Sequence, residues 1–160
     1  MSASKISVIG GGSFGTVIAN ITADTGHDVW FWMRSKSQAA DINKHHENSQ
    51  YLPGYKLNES VFATEDMVEA VSGSEVIFVA VPSSSFRQVV KEVVKHASAD
   101  AILVSTTKGI EPGTFLLMSQ VLKEEAPNAR IAVLSGPNLA KEIASKQLTG
   151  TVVASSDETV

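Results

Sequence analysis

The stretch "SVIGGGSFGTVIA", residues 7–19, decides the fold. An apolar run at Ile6–Ile9 stops at three glycines, and Phe14, Val17, Ile18 and Ile21 then recur at helical spacing. Gly10, Gly12 and Gly15 match G-x-G-x-x-G, placed after a strand and at the opening of a helix. Each glycine has its own reason. Gly10 permits the tight turn, Gly12 keeps side chains away from an approaching pyrophosphate, and Gly15 lets the helix pack close to the strand. The amides of Ser13 and Phe14, with the helix dipole behind them, would face the phosphates. A plain strand-to-helix turn needs one glycine, not three at this spacing.

Outward from that corner, strands and helices alternate. Val29–Met33 is a second strand, followed by a polar helix over Gln38–His46 and a long loop, "ENSQYLPGYKLNES". Residues 61–64 form a short strand and Glu65–Val71 a short helix. "EVIFVAVP" is a buried strand ended by Pro82; Ser83–Ser85 cap a helix whose apolar face is Phe86, Val89, Val90, Val93 and Val94. "AILVSTT" is another buried strand. A helix over Phe115–Glu125, the strand "IAVLSG", a short helix over Asn138–Ala144 and a last strand at Thr151–Ala154 complete the pattern. Strands that are apolar throughout are covered on both faces, as parallel sheets require. The expectation is an α/β, Rossmann-like, doubly wound and mostly parallel sheet with helices on both faces, filling residues 1–160 as one dinucleotide-binding domain.

The second strand speaks to which dinucleotide. A site selective for NAD places Asp or Glu near the end of that strand, for the ribose 2′-hydroxyl. Here "WFWMRSK" has no carboxylate, and Arg34 stands in its place beside Ser35 and Lys36. A guanidinium pairs with a 2′-phosphate or stacks on adenine, so NADP(H) is preferred and NAD(H) remains possible. The alternative for Arg34 is an ordinary solvated arginine.

In such sheets ligands sit beyond the carboxyl ends of the strands. Three more ends carry polar groups: Pro82-Ser83, Thr107-Lys108-Gly109 and Gly136-Pro137-Asn138. Lys108 is the best candidate for chemistry, able to pair with an anion or polarise a carbonyl; alone it is equally a solvated lysine in a turn. Gly136-Pro137 opens a helix whose free amides suit a phosphate or serve as a cap.

Composition narrows the classes. The net charge of −4 argues against a nucleic-acid partner, so any anion site is local. The chain has no cysteine, which removes disulfides, thiolate catalysis and cysteine-based zinc sites. No run approaches the roughly 18 apolar residues of a membrane span. The N-terminal run meets glycines too early for a signal peptide, and a cytoplasmic location is expected. Adjacent His45 and His46 beside Glu47 point apart on a helix, so no metal is expected. Trp30 and Trp32 are assigned to packing, and "KEVVKHASAD" to a solvated helix face. Asp157-Glu158 starts a helix that does not follow, which suggests the first domain of a longer protein.

Four motifs in order, "GGGSFGTVIA", "VAVPS", "STTKGIE" and "LSGPNLAKE", with "YLPG" in the long loop, give the chain its resemblance. It resembles the bacterial NAD(P)-dependent sn-glycerol-3-phosphate dehydrogenases over nearly its whole length. The resemblance implies hydride transfer between NAD(P)H and dihydroxyacetone phosphate, giving sn-glycerol 3-phosphate for phospholipid synthesis. It implies cofactor contacts from Gly10, Gly12, Ser13, Phe14, Gly15, Arg34, Lys108 and Ala140, and substrate contacts from Lys108, Gly136 and Asn138. Asn138 departs from the family, where serine or threonine is usual. The resemblance further implies an all-helical second domain carrying the main proton donor and most phosphate-binding groups, so that these residues alone bind cofactor but do not turn over. The substrate partner would be a phosphorylated triose, and the full-length protein a possible homodimer. Two rivals remain: another NADP-linked reductase of keto or hydroxy acids, and a non-catalytic module sensing dinucleotide redox state.

Overall fold

The computed structural model describes residues 4–160; residues 1–3, which the sequence reading includes in the domain and in its N-terminal segment, lie outside the described residues. The elements run β1 (Lys5–Ile9), α1 (Ser13–Asp24), β2 (Asp28–Trp32), α2 (Lys36–His45), β3 (Val61–Thr64), α3 (Met67–Val71) and β4 (Val76–Val79). They continue as α4 (Ser83–Val94), β5 (Ile102–Ser105), α5 (Met118–Glu125), β6 (Arg130–Ser135), α6 (Ala140–Ala144) and β7 (Val152–Ser155). One sheet holds all seven strands in the order β3-β2-β1-β4-β5-β6-β7. The first six are parallel. The order reverses direction between β1 and β4, which opens a crevice beyond their carboxyl ends.

Successive residues of a strand face opposite sides of a sheet. Ile9 joins a core with Ile77, Val79, Phe86, Val90, Leu103 and Leu122, under α3, α4 and α5. Val8 joins the opposite core with Ile18, Val29, Phe31, Ala39 and Ile42, under α1 and α2. Both faces of β1 are therefore buried from Ile6 to Ile9, and the one polar residue there, Ser7, is satisfied by Ala70 O and Ser74 Oγ. The apolar face expected of this helix is the one it buries, with Val93 fully buried in the first core, and the solvated face of "KEVVKHASAD" is the opposite side up to the end of α4 at Val94.

Several element boundaries differ from the sequence reading, each for a local reason. Helix α2 starts at Lys36 because the Ser35 hydroxyl accepts the N–H of Gln38, and it ends where His46 turns left-handed. Helix α3 starts at Met67, since the Asp66 carboxylate caps Val68 and Glu69. Helix α4 is capped at Pro82, not within Ser83–Ser85. Helix α5 begins at Met118, not Phe115. Phe115 has φ 60°, and the chain before it folds back, with Glu111 N–H donating to Leu116 O at 2.8 Å. Helix α6 is confined to five residues, Ala140–Ala144.

The last strand exists but runs antiparallel to β6, pairing Ala132 with Ser155 and Ser135 with Val152. The reason lies at its entry. Gly150 N–H donates to Pro137 O, and a Cβ on Gly136 would lie 2.3 Å from Gly150 O. That contact brings the chain back beside β6 before it can cross over. The Asp157 carboxylate accepts from Arg130 Nε at 3.2 Å and from Thr159 N–H at 2.9 Å.

Candidate functional site

The carboxyl ends of β1, β2 and β4 frame a cleft of about 850 Å³ lined by Gly10–Gly12, Trp32, Arg34, Tyr51, Val81 and Pro82, among others. Helix α1 opens into this corner, with Gly12 as its N-cap in extended backbone. The first N–H groups of a helix have no intrahelical partner. Among the described residues, no protein acceptor takes the N–H of Gly11 or Gly12. The corner thus presents free donors and a helix dipole to an open cleft.

The glycines divide by what restrains them. A Cβ on Gly10, at φ 127°, would lie 2.4 Å from Ala80 O on the neighbouring strand end. A Cβ on Gly15 would lie 2.0 Å from Gly10 O, so helix and strand meet there without room for a methyl group. A Cβ on Gly11 would meet Met33 Cβ at 2.7 Å, a requirement the motif reading did not assign. Around Gly12, by contrast, no atom beyond the two adjoining residues lies within 4 Å of such a Cβ. Packing does not explain a glycine at residue 12.

Past the glycine corner, three distant motifs meet. Lys108, following β5, donates from Nζ to Asn138 Oδ1 at 2.8 Å and to Gly136 O at 3.1 Å. The same Nζ lies 5.7 Å from the centre of the Phe14 ring, within range of a cation–π contact. Asn138 is 1% exposed, and its Nδ2 donates to Thr151 Oγ1 at 3.2 Å. An ammonium has three N–H donors, so one remains beyond the two given to residues 136 and 138. Ala140 opens α6, which lies against α1.

Arg34 is exposed at the end of β2 and lines the cleft with Ser35. Ser13 Oγ donates to Tyr51 O at 2.8 Å, tying α1 to the long loop. Trp32 does more than pack: its Nε1 donates to Glu65 O and its ring lines the cleft. Trp30 packs against Phe62 with the rings tilted by 42° and their centres 5.1 Å apart. His45, His46 and Glu47 do not converge. His45 faces Asp41, while Glu47 accepts from Gly54 N–H and pairs with Lys56.

Sequence reasoning missed two groups. One is the pair Asn48 and Gln38, both hydrogen-bonded to Gly11 O. The other lies behind Lys108. Arg87 on α4 grips Glu111 through Nε at 2.7 Å and Nη2 at 2.8 Å, and also pairs with Glu124 and Glu125. Hydrogen bonds from Arg87, then from Thr114, hold the Glu111 carboxyl down to about 2. The same carboxylates raise Arg87 above its ordinary value, so it stays charged. This clamp fixes the turn that carries Lys108 three residues upstream.

A family model described as NAD-dependent glycerol-3-phosphate dehydrogenase N-terminus matches residues 5–160. A relative from Teredinibacter turnerae, named glycerol-3-phosphate dehydrogenase (NAD(P)+), is 51% identical over 156 residues, covering 98% of this chain and 46% of the relative. A relative of the same name from Pseudomonas fluorescens is 54% identical over 153 residues, covering 96% and 43%. The crystal structure of the Coxiella burnetii glycerol-3-phosphate dehydrogenase superposes with TM-score 0.91 at 29% identity, over 98% of this chain and 48% of that one. The structure of the glycerol-3-phosphate dehydrogenase from Saccharomyces cerevisiae gives 0.86 at 27%, over 96% and 48%. The chain spans about half the length of the curated relatives it matches.

Proposed function

We propose, because this chain belongs to the family of NAD-dependent glycerol-3-phosphate dehydrogenase N-termini, that it is the cofactor-binding half of an enzyme interconverting dihydroxyacetone phosphate and sn-glycerol 3-phosphate. The convergence of Lys108, Gly136, Asn138 and Phe14 beside the glycine corner carries this reading. A dinucleotide site alone needs the glycines. It does not need an ammonium held by two acceptors from another strand end.

The residues fit the cofactor. Gly12 leaves its approach bare, and the free amides of the corner suit a pyrophosphate. Gly10, Gly12, Ser13, Phe14 and Gly15 would hold the pyrophosphate side, Arg34 the adenosine side, and Ala140 the nicotinamide side. When bound, NADPH supplies the hydride. Lys108 would direct its remaining N–H toward the substrate ketone and stabilise the negative charge that grows on that oxygen. Asn138 and Gly136 O hold the ammonium in place, so little reorganisation accompanies the reaction. Gly136 would border the substrate beside them. The family resemblance assigns proton donation and most phosphate contacts to a second, helical domain.

The preference for NADPH over NADH rests on Arg34 and the lack of any carboxylate from residue 29 to residue 37. Titration of this chain with each cofactor, read by tryptophan fluorescence with Trp32 lining the cleft, tests the reading. Tight NADPH binding with negligible turnover of dihydroxyacetone phosphate supports it. Failure to bind either dinucleotide, or turnover at ordinary enzyme rates by these 160 residues alone, contradicts it.

A further inference from the structure

The glycine corner has a support that the motif does not contain. Gly11 O accepts from Gln38 Nε2 at 2.7 Å and from Asn48 Nδ2 at 3.0 Å. The two side chains also bond to each other, Gln38 Nε2 to Asn48 Oδ1 at 3.2 Å. Asn48 Nδ2 donates in addition to Thr16 Oγ1 at 2.8 Å, and Thr16 Oγ1 donates to Gly12 O at 2.8 Å. One buried amide, 1% exposed, thereby reaches the carbonyls of two consecutive peptides, directly at Gly11 and through Thr16 at Gly12.

The loop that delivers Asn48 is itself anchored. Asn48 O accepts from Tyr51 and Leu52 N–H, Leu57 N–H donates to His46 O at 2.8 Å, and Leu52 and Leu57 are buried. Helix α2 delivers Gln38, with Ser35 capping its first turn.

In a planar peptide the C=O and the following N–H point in opposite directions. Two donors that hold the Gly11 carbonyl toward α2 and the long loop therefore turn the Gly12 N–H away from them. Three consecutive glycines have wide conformational freedom and lose much entropy when ordered. The competing state is a flip of the peptide between residues 11 and 12. That flip would bring the Gly11 carbonyl oxygen to the side now held by the Gly12 N–H, opposing an anion.

We infer that Asn48 and Gln38 are positioning residues for the pyrophosphate turn, holding the peptide between Gly11 and Gly12 with its N–H free for an anion. The inference rests on the dinucleotide reading above. Asn48 lies outside the cleft lining, and Gln38, which borders it, spends its amide N–H groups on Gly11 O and Asn48 Oδ1. Their contribution is preorganisation, which removes an ordering cost from binding.

The test uses the 160-residue chain, with NADPH and adenosine 2′-phosphate as probes; the second carries no pyrophosphate. The variants are Gln38→Met and Asn48→Leu, close in volume but without donors, with folding checked by circular dichroism. The expected result is a loss of NADPH affinity of about tenfold or more, with adenosine 2′-phosphate affinity changed by less than about twofold. Unchanged NADPH affinity in a folded variant overturns the inference. Equal losses for both probes also overturn it, because they report general loosening of the domain. Should Asn48→Leu not fold, Gln38→Met decides alone, since that side chain is only half-buried. A wild-type chain that binds adenosine 2′-phosphate but not NADPH overturns the dinucleotide reading itself, a result distinct from any difference among variants.

Discussion

Lys108 Nζ donates to Asn138 Oδ1 across 2.8 Å and so ties the turn after β5 to the turn after β6, thirty residues further along the chain. Asn138 is buried and Lys108 is exposed, so the amide is a fixed post that holds the ammonium at the mouth of the site. In the complete enzyme, Lys108→Ala is expected to lower kcat by about 100-fold or more, the scale for removing one donor aimed at developing negative charge. NADPH affinity measured without substrate should change little. An unchanged kcat removes Lys108 from the chemistry.

Glycines at residues 10 and 15 are expected to act on stability. Gly15→Ala forces a methyl group to within 2.0 Å of Gly10 O, where backbone faces backbone. Gly10→Ala meets Ala80 O at 2.4 Å and adds an unfavourable φ of 127°. Each substitution should cost about 1–3 kcal/mol or more, read as a lower urea midpoint. A wild-type midpoint for Gly15→Ala contradicts the close packing of α1 on β1.

Arg34 should set the choice of cofactor without affecting the fold, being exposed at the end of β2. Arg34→Ala is expected to reduce the NADPH-to-NADH affinity ratio about tenfold, the loss of one charge-assisted contact to a 2′-phosphate. Paired titrations measure it. An unaltered ratio makes Arg34 a solvated arginine and leaves the preference unexplained.

Much of this architecture was legible because it depends on local patterns. A strand covered by the core reads as an apolar run, as at residues 102–104, and Val76–Val79 reads the same way although its Val76 and Phe78 face is only partly buried. The Gly10 and Gly15 requirements follow from a motif of six residues. What escaped depends on contacts between distant residues. Asn48 lies 37 positions from Gly11, and a polar residue in a long loop has no periodicity to betray it. The direction of β7 hangs on Gly136 packing against Gly150, so its apolar sequence revealed the strand and not its sense. Phe115-Leu116-Leu117 resembles the start of a helix, yet the Glu111 turn holds Phe115 left-handed and exposed.

That turn should be sensitive to acid. Glu111 is held down to about 2 from an ordinary 4.5, chiefly by Arg87. A carboxylate depressed in the folded state stabilises it fully above its unfolded value and loses that contribution as pH falls through the folded value. Wild-type thermal stability should therefore exceed that of Glu111→Gln at neutral pH, with the two curves converging from about 4.5 down toward about 2. A constant gap across that range would show that the ion pair is not the source of the difference. Full-length turnover should fall with Glu111→Gln as well, through the displaced Lys108.

The central claim is that residue 12 is glycine for a ligand and not for the protein. Its backbone is ordinary, with φ −83°, and no atom beyond the two adjoining residues lies within 4 Å of an added Cβ. The decisive measurement is the NADPH dissociation constant of Gly12→Leu, taken alongside its melting temperature. The account predicts a near wild-type melting temperature with affinity weakened about 100-fold or more, as a side chain fills the space a pyrophosphate needs. Wild-type affinity in a normally folded Gly12→Leu protein would contradict it.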